Sequence, residues 1–327
     1  MNVLITGITG MVGSHLAEYF LAAVPGADVH GLVRWRSPLG NIQGILPQVT
    51  LHQGDLRDLH SLVILLRKVK PDRIHHLAAQ SYVDMSFVAP ADTLTSNIIG
   101  TCNLLDAVRL AGINPRIHIC SSSEVYGQVT PDEVPIAENT PLRPASPYAV
   151  SKVGEDMIAF QYGLSYRLDV VRTRMFTHTG PRRGDVFAES SFARQIAEIE
   201  ANHHSGPVRV GNLDSVRTLA DVRDAVRAYK LLLDKCPAGE VYNIGGNETM
   251  TVGDILNTLK SLARVPIEHV VDPARLRPSD VTLQIPDTRK FQQATGWMPE
   301  IPARQTLSDL LDFQRERVAL GGRPSNA

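Results

Sequence analysis

The sequence predicts an α/β protein built on a doubly wound parallel sheet, with a smaller lobe formed by the C-terminal part of the chain. Short apolar segments alternate with segments of helical spacing, a glycine-rich turn follows the first apolar segment, and the alternation weakens after about residue 175. Strands separated by helices pair in parallel, with helices on both faces. We expect residues 1–174 to form the first domain and residues 175–327 the second lobe, with some of its segments returning to the first domain.

Six strands are expected in chain order. They are NVLIT, DVHGLV, VTLHQGD, RIHHLAA, RIHICSSS and RLDVVRTRMF. Helices are expected at MVGSHLAEYFLAAV, LHSLVILLRKV, PADTLTSNIIGTCNLLDAVRLAG and the segment that contains SPYAVSK. Five prolines between residues 127 and 147 indicate a long loop, and long loops in compact domains usually carry function. Arginine, glycine and proline are frequent in the second lobe, as in HTGPRRGD, ARLRPSD and GWMPEIP.

Charge and cysteine content exclude several classes of function. The 33 basic and 34 acidic residues give a formal net charge of −1, which argues against nucleic acid or an anionic membrane as the main partner. Cys102, Cys120 and Cys236 are widely spaced and show no metal-ligand pattern, so we expect buried thiols in a reducing compartment and no metal site. With no visible secretory signal and no long apolar run, a cytoplasmic protein is predicted.

The segment TGITGMVG places Gly7, Gly10 and Gly13 between the first strand and the first helix. A tight turn there needs glycine, and the missing side chains let backbone amides approach a pyrophosphate. The N-terminus of the helix then faces the negative charge. Because the pattern lies at the first strand–helix junction, it favours a Rossmann-type dinucleotide-binding domain. The alternative is that the glycines serve only close packing.

The second strand ends in GLVRWRS, without the acidic residue that usually holds the ribose hydroxyls of NAD. Arg34 and Arg36 stand there instead, and arginine can hold a 2′-phosphate, so NADP is favoured and NAD is the alternative. Two solvated surface arginines are the other interpretation. Asp55, after the third strand, either accepts a hydrogen bond from the adenine amine or caps the following helix.

In SPYAVSK, Tyr148 and Lys152 are four residues apart, which places both side chains on one face of a helix. A nearby ammonium favours the phenolate of a tyrosine, and a tyrosine tuned in this way can remove a proton from a hydroxyl group. The fifth strand ends in CSSSEVYG, which brings Ser122 and Glu124 to the carboxyl edge of the sheet. An accidental surface pair is the alternative for Tyr148 and Lys152, and a solvent-facing or capping carboxylate is the alternative for Glu124.

These motifs together resemble an extended short-chain dehydrogenase/reductase that modifies nucleotide sugars. The resemblance rests on the glycine turn, HLAAQS, NIIGT, SSSEVYG and SPYAVSK, and it covers nearly the whole chain. Within that group, AAQSYVDMSF, THTGPRRGDVF, GNLDSVR and LRPSDV are most similar to GDP-mannose 4,6-dehydratases. The RW segment followed by Pro and Asn is similar to the branch that acts on GDP-manno-heptose.

The resemblance implies a chemistry in which Ser122, Glu124, Tyr148 and Lys152 act on the sugar. Tyr148 would deprotonate the 4-hydroxyl while hydride leaves carbon 4 for NADP⁺. Glu124 would move the proton on carbon 5 and assist loss of the 6-hydroxyl as water, which gives a 4-keto-6-deoxy sugar. Glu124 favours a dehydratase, because a reductase needs only the hydroxyl, Tyr148 and Lys152. A reductase of the same family, acting on the GDP-4-keto-6-deoxy sugar, is the alternative, since DPARLRPSD and TGWMPEIP also resemble that branch.

The resemblance also implies binding residues for both ligands. For the cofactor they are Gly7, Gly10, Met11, Val12, Gly13, Arg34, Arg36, Asp55, Leu56, Leu77, Ala78, Ala79, Asn97, Tyr148 and Lys152. For the GDP-sugar they are Ser81, Ser122, Thr177, Arg183, Arg217, Arg277 and Asp280. Arginine suits the diphosphate, although Arg183 is alternatively an interface residue. Thr177 departs from the asparagine usual in the family, and a homodimer or homotetramer is expected.

Overall fold

The computed structural model describes residues 1–276 and 280–321, and its strands and helices alternate through the first half of the chain. The strands are β1 (Asn2–Thr6), β2 (Asp28–Val33), β3 (Val49–Gln53), β4 (Arg73–His76), β5 (Arg116–Ser122), β6 (Val170–Met175), β7 (His178–Thr179), β8 (Val208–Val210), β9 (Val216–Asp221), β10 (Val241–Ile244), β11 (Glu248–Thr251), β12 (His269–Val271) and β13 (Leu283–Gln284).

Helices lie between these strands and after β13. They are α1 (Met11–Ala23), α2 (Leu59–Val69), α3 (Val83–Val88), α4 (Pro90–Leu94), α5 (Gly100–Ala111), α6 (Pro147–Tyr166), α7 (Ala188–Glu200), α8 (Val222–Lys235), α9 (Val252–Leu262), α10 (Arg289–Thr295) and α11 (Ala303–Ala319). One π-helical turn (Thr95–Ile99) joins α4 to α5, and 3₁₀ turns occupy Gly40–Gln48, Ser123–Tyr126, Pro131–Glu133 and Pro273–Arg275.

The central sheet has seven strands in the order β10-β6-β5-β4-β1-β2-β3, and every pair in it is parallel. The predicted α/β class with a doubly wound parallel sheet is therefore confirmed. The seventh strand, β10, was not predicted. It pairs with β6, so a segment from the second half of the chain completes the first sheet.

Side chains of β1 show that helices cover both faces of this sheet. Val3 and Ile5 belong to one buried apolar cluster, whose helical members include Phe20 of α1 and Tyr229 of α8. Leu4, between them, belongs to the opposite cluster, which includes residues of α2, α5 and α6. Alternate residues of a strand point to opposite faces, so both faces are buried, as parallel sheets require.

The second lobe has its own small sheets and core. Strands β11, β9 and β13 form one sheet, to which β7 adds by pairing with β9, while β12 pairs with β8. Phe192 of α7, Leu256 of α9 and Leu311 of α11 belong to the buried core of this lobe. The predicted boundary between residues 174 and 175 stays a prediction.

The three cysteines are free, and Cys236 is buried whereas Cys102 and Cys120 are partly buried. Over residues 1–276 and 280–321, no helix combines the length and the apolar character needed to cross a membrane. The cytoplasmic location stays a prediction.

Candidate active site

The glycine turn is packed so closely that side chains are excluded from it. Gly7 has φ +76°, and a Cβ atom there would lie 2.9 Å from the Cα atom of Ala78. A Cβ atom at Gly13 would lie 2.1 Å from the carbonyl oxygen of Gly7. Gly10 is the N-cap of α1, and the first turn of α1, which begins at Met11, carries no acidic residue and no side-chain cap. Its amide groups therefore fit an anion such as a dinucleotide pyrophosphate.

Residues after β4 form the other side of this turn. The backbone amides of Leu77 and Ala78 both donate to Thr6 Oγ1 at 3.2 Å, which fixes the end of β4 against the end of β1. Asn97 is buried, and its side chain is hydrogen-bonded to both backbone groups of Gln80 and to Ser151 Oγ. Asn97 thus ties the loop that contains Ala79 to α6.

A shallow cavity of about 320 Å³ lies at the carboxyl ends of β2 and β3. It is lined by Arg34, Trp35, Gln53, Gly54, Asp55, Asp58 and Ser61. Arg34 and Asp55 thus line the same cavity. Arg36 stacks on the exposed Trp35 ring, 4.4 Å from its centroid.

Asp55 is not the cap of α2, because that position belongs to Asp58, whose side chain accepts from the His60 amide. The carboxylate of Asp55 instead pairs with Arg57 (Oδ2–Nη2 3.0 Å), and hydrogen bonds from Arg57 lower the pKa of Asp55. The next predicted residue, Leu56, packs against Gly100 of α5.

Tyr148 and Ser122 meet where β5 ends and α6 begins. The Ser122 side chain lies close enough to the Tyr148 hydroxyl to act on its pKa. Burial raises the pKa of Tyr148 above its ordinary value, while the Lys152 ammonium and the Ser122 side chain act in the opposite direction. The ammonium acts on the phenol as predicted, but in the protein alone burial outweighs it.

Lys152 lies beside Tyr148 and is itself buried. Its ammonium donates to the carbonyl oxygen of Cys120 at 2.6 Å and to Glu155 Oε2 at 2.7 Å. Burial is the largest single influence and opposes the charged form of Lys152, but the Glu155 carboxylate, together with Tyr148 and Cys120, raises the pKa of the lysine on balance. The pairing with Glu155 was not predicted, although the i, i+3 spacing on a helix is the signal that indicates it.

Glu124 lies in the 3₁₀ turn that follows β5, close to Ser122. Ser122 caps this turn, because its hydroxyl accepts from the Glu124 amide at 3.2 Å. The Glu124 carboxylate accepts a hydrogen bond from Gln284 Nε2 (Oε1–Nε2 3.2 Å). Gln284 belongs to β13, 160 residues later in the chain, and no local pattern in the sequence pointed to it.

Arg217 and Asp280 come together in the second lobe, with 4.0 Å between Nη2 and Oδ1. Arg217 also donates to the carbonyl oxygens of Val216 and Val281, and Asp280 accepts from Ser215 and Asn212. Arg217 is paired in register with Gln284, so these two residues are neighbours on adjacent strands. Arg277 lies outside the described residues.

Arg183 follows β7 and has partners within the lobe. Its guanidinium lies 3.4 Å from the centroid of Phe187 and pairs with Glu189 (Nε–Oε1 3.4 Å). Its charge also interacts with Tyr148. Thr177 is half-buried next to His178, whose pKa is lowered to about 4 by burial and by Arg183, so His178 is neutral at physiological pH. Ser81 is exposed at the start of the loop before α3.

Comparison with known proteins shows the family to which the chain belongs. The family model for GDP-mannose 4,6 dehydratase matches residues 4–310. A GDP-6-deoxy-D-mannose reductase from Pseudomonas aeruginosa is 35% identical over 97% of this chain and 98% of its own length. A GDP-mannose 4,6-dehydratase from Yersinia enterocolitica is 32% identical over 97% of this chain and 95% of its own length.

Solved structures are similar over the same extent. RMD from Pseudomonas aeruginosa, in complex with NADPH, superposes with a TM-score of 0.84 at 33% identity and covers 97% of this chain and 99% of its own. DesIV, a dTDP-glucose 4,6-dehydratase from Streptomyces venezuelae with NAD bound, has a TM-score of 0.85 at 30% identity and covers 98% of each chain.

Fold and site together define an NAD(P)-dependent nucleotide-sugar enzyme of the extended short-chain dehydrogenase/reductase class. More particularly, the chain belongs to the GDP-mannose 4,6-dehydratase family. The predicted family and enzyme class are confirmed.

Proposed function

We propose that the protein is a nucleotide-sugar 4,6-dehydratase that converts GDP-mannose or GDP-manno-heptose to the GDP-4-keto-6-deoxy sugar. The observation that carries this proposal is the position of Glu124, two residues after Ser122 in the 3₁₀ turn at the carboxyl edge of the sheet, where Ser122 acts on Tyr148. A carboxylate beside this pair has chemical work to do when a proton bound to carbon must move.

Tyr148 acts as the base for the sugar 4-hydroxyl, and Ser122 holds the same oxygen through its own hydroxyl. The Lys152 ammonium opposes the effect of burial on the phenol and so favours the proton transfer. A bound nicotinamide cofactor would supply the hydride chemistry, by taking the hydride of carbon 4 and returning it to carbon 6. Carbon 5 regains a proton in that last step, which balances the proton that Tyr148 took from the 4-hydroxyl. The reaction therefore has no net change of oxidation state, and the sugar loses one water.

Glu124 acts after the 4-ketone has formed, because the ketone acidifies the proton on carbon 5. The carboxylate takes that proton, and the protonated acid then donates to the departing 6-hydroxyl. The hydrogen bond from Gln284 fixes one oxygen of the Glu124 carboxylate. The orientation of this carboxylate is therefore set by β13, to which Gln284 belongs.

The nucleotide diphosphate is assigned to the second lobe. Arg217, near the start of β9, and Arg183, after β7, supply positive charge, and Asp280 is the acceptor for a ribose hydroxyl. Thr177 is shorter than the asparagine usual in the family, so it leaves more room beside the sugar, which suits a heptose as well as a mannose.

NADP is proposed as the cofactor, with NAD as the alternative. Arg34 lines the cavity at the end of β2, where the 2′-phosphate of the adenosine ribose would lie. The related RMD was solved with NADPH, which agrees with this assignment.

A reductase is the second candidate, because a relative with that activity is 35% identical to this chain. One experiment separates the two. Incubation with GDP-mannose and GDP-manno-heptose at catalytic NADP⁺ is expected to give a product lighter by one water. Stoichiometric consumption of NADPH on a GDP-4-keto-6-deoxy sugar, with no water lost from either GDP-sugar, would instead establish the reductase.

A homodimer or homotetramer is proposed from the outer face of α6. Val150, Met157, Phe160 and Leu164 are exposed there, and their spacing places them on one side of the helix. Burial of such a stripe against a second copy is favourable. Sedimentation of the wild type and of Leu164→Glu tests this, since a monomeric wild type would contradict it.

A further inference from the structure

The ammonium of Lys152, to which the proposed function gives a catalytic role, pairs with a buried carboxylate to which it gives none. Lys152 and Glu155 lie one turn apart on α6, with 2.7 Å between Nζ and Oε2, and their side chains are only 5% and 1% exposed. The other strong contact of the ammonium, the carbonyl oxygen of Cys120, is neutral. Glu155 is therefore the negative charge that compensates Lys152 directly.

Glu155 depends on Lys152 in turn. Its second oxygen, Oε1, is buried without a hydrogen-bond partner among the residues that the structure describes. The adjacent acid, Asp156, is committed elsewhere, because it pairs with Arg172 and Arg174. Burying a carboxylate without a compensating charge is costly, so the contact with Lys152 fixes both side chains.

The same ammonium acts on Tyr148, and the charge of Glu155 acts against it. Lys152 favours the phenolate, whereas the Glu155 carboxylate disfavours it. Burial raises the pKa of Glu155 to about 7, with the Lys152 ammonium opposing. The other titratable or charged groups that face this cluster are Asp156 on α6, His76 on β4, His118 and Cys120 on β5, Arg183 after β7 and Tyr229 on α8.

We propose that Glu155 is a positioning residue that anchors the Lys152 ammonium and attenuates the positive charge that this ammonium presents to Tyr148. The inference rests on the proposed function for the roles of Tyr148 and Lys152. Its physical content, the coupling of three buried groups, is measurable in the protein without substrate or cofactor.

The test follows the ionisation of Tyr148 by NMR of protein labelled with carbon-13 at the tyrosine ring. Tyr148→Phe identifies the signal. In Glu155→Gln, the amide oxygen still accepts from Nζ but carries no charge, so the full ammonium charge acts on the phenol. We expect the midpoint of the Tyr148 titration to fall by about one pH unit, a tenfold increase in the ionisation constant.

Glu155→Asp keeps the charge but moves it one methylene further from the ammonium. We expect the midpoint of the Tyr148 titration to fall here too, with an increase of about threefold in the ionisation constant. This variant decides the question if Glu155→Gln does not fold. The matched control is Glu200→Gln, which removes a buried carboxylate paired with Arg315 in the second lobe and is expected to lower stability without moving the Tyr148 midpoint.

An unchanged midpoint, or a rise, in the folded Glu155 variants would overturn the proposal, as would an equal shift in Glu200→Gln. Because the titration needs no turnover, its outcome is independent of the sugar assay. If the titration shifts as expected but no GDP-sugar is converted, the proposed function fails and the coupling stands.

Discussion

Gln284 donates a hydrogen bond to Glu124, with 3.2 Å between Nε2 and Oε1, and accepts one from Ser123 at the same distance. Gln284 is buried on β13, a strand of the second lobe, and its register partner on β9 is Arg217. The strand pair β9–β13 of the substrate lobe therefore orients the carboxylate assigned to proton transfer, through Gln284, and also carries an arginine assigned to the diphosphate.

Gln284→Leu removes the hydrogen bond to Glu124 while keeping a side chain of similar size. We expect kcat for water loss to fall about tenfold, because the carboxylate loses its fixed direction and a charge-assisted hydrogen bond. The KM for the GDP-sugar should change little. Steady-state kinetics with mass detection of the product measures both constants.

Ser123→Ala is the matched control for this variant, since Ser123 contacts Gln284 but the hydrogen bond from Gln284 to Glu124 stays intact. We expect its kcat to stay within about threefold of the wild type. An equal loss of kcat in both variants would show that any change at this position of the site lowers activity. The hydrogen bond from Gln284 to Glu124 would then have no particular role.

Glu124→Gln keeps the shape of the side chain and removes its capacity to accept a proton. If Glu124 moves the proton on carbon 5, water loss falls by about 10³-fold, within the range of general acid–base catalysis. Cofactor affinity, measured by fluorescence titration with NADPH, should be unchanged. Wild-type rates of water loss in this variant would refute the role of Glu124.

Local patterns predicted much of this molecule. The alternation of apolar and helical segments predicted six strands of the central sheet, and the spacing of Tyr148 and Lys152 predicted that they share a helix face. The strand β10 was missed, because VYNI is only four residues long and pairs with a strand some 70 residues earlier. Gln284 was missed for the same physical reason, since its contact with Glu124 spans 160 residues.

Glu155 was missed for a different reason. An acid three residues after a lysine on a helix is ordinarily a solvated surface pair of small energetic effect. Only the packing of α6 against β5 shows that both groups are buried. Burial, which local sequence reports poorly, also explains why the pKa of Tyr148 is raised rather than lowered in the protein alone.

Arg34→Ala tests the assignment of the 2′-phosphate. Arg34 lines the cavity at the end of β2, and loss of a charge-assisted contact to the phosphate is expected to weaken NADPH binding by about 10- to 100-fold. NADH, which lacks the phosphate, should bind with unchanged affinity. Isothermal titration with both cofactors measures the ratio.

Arg36→Ala is the companion variant, since Arg36 stacks on the exposed Trp35. A weaker loss of NADPH affinity is expected there than in Arg34→Ala. If Arg34→Ala weakens NADH and NADPH equally, the arginine supports the adenosine site as a whole, and selectivity for NADP lies elsewhere.

Buried histidines make the free energy of unfolding depend on pH. Burial lowers the pKa of His75 and of His76 to about 3 and that of His178 to about 4, whereas in the unfolded chain each titrates near 6.5. Between these values the unfolded state binds more protons. Stability is therefore fully present above about pH 6.5 and is lost as the pH falls, by about 1.4 kcal/mol per pH unit for each histidine.

Glu155 has the opposite effect on stability, because its pKa is raised to about 7 in the folded protein. Between this value and the ordinary pKa of a glutamate in the unfolded chain, the folded state binds the additional proton. One carboxyl offsets about one histidine, so the net slope below pH 6.5 keeps the sign set by the histidines.

Urea denaturation at several pH values measures this slope. His76→Gln, which retains acceptors and donors for Thr6 and Thr101, should reduce the slope by about one proton, whereas exposed His60→Gln should not. Parallel curves for the wild type and His76→Gln would show that His76 is not the buried, neutral group that the structure places between β1 and α5.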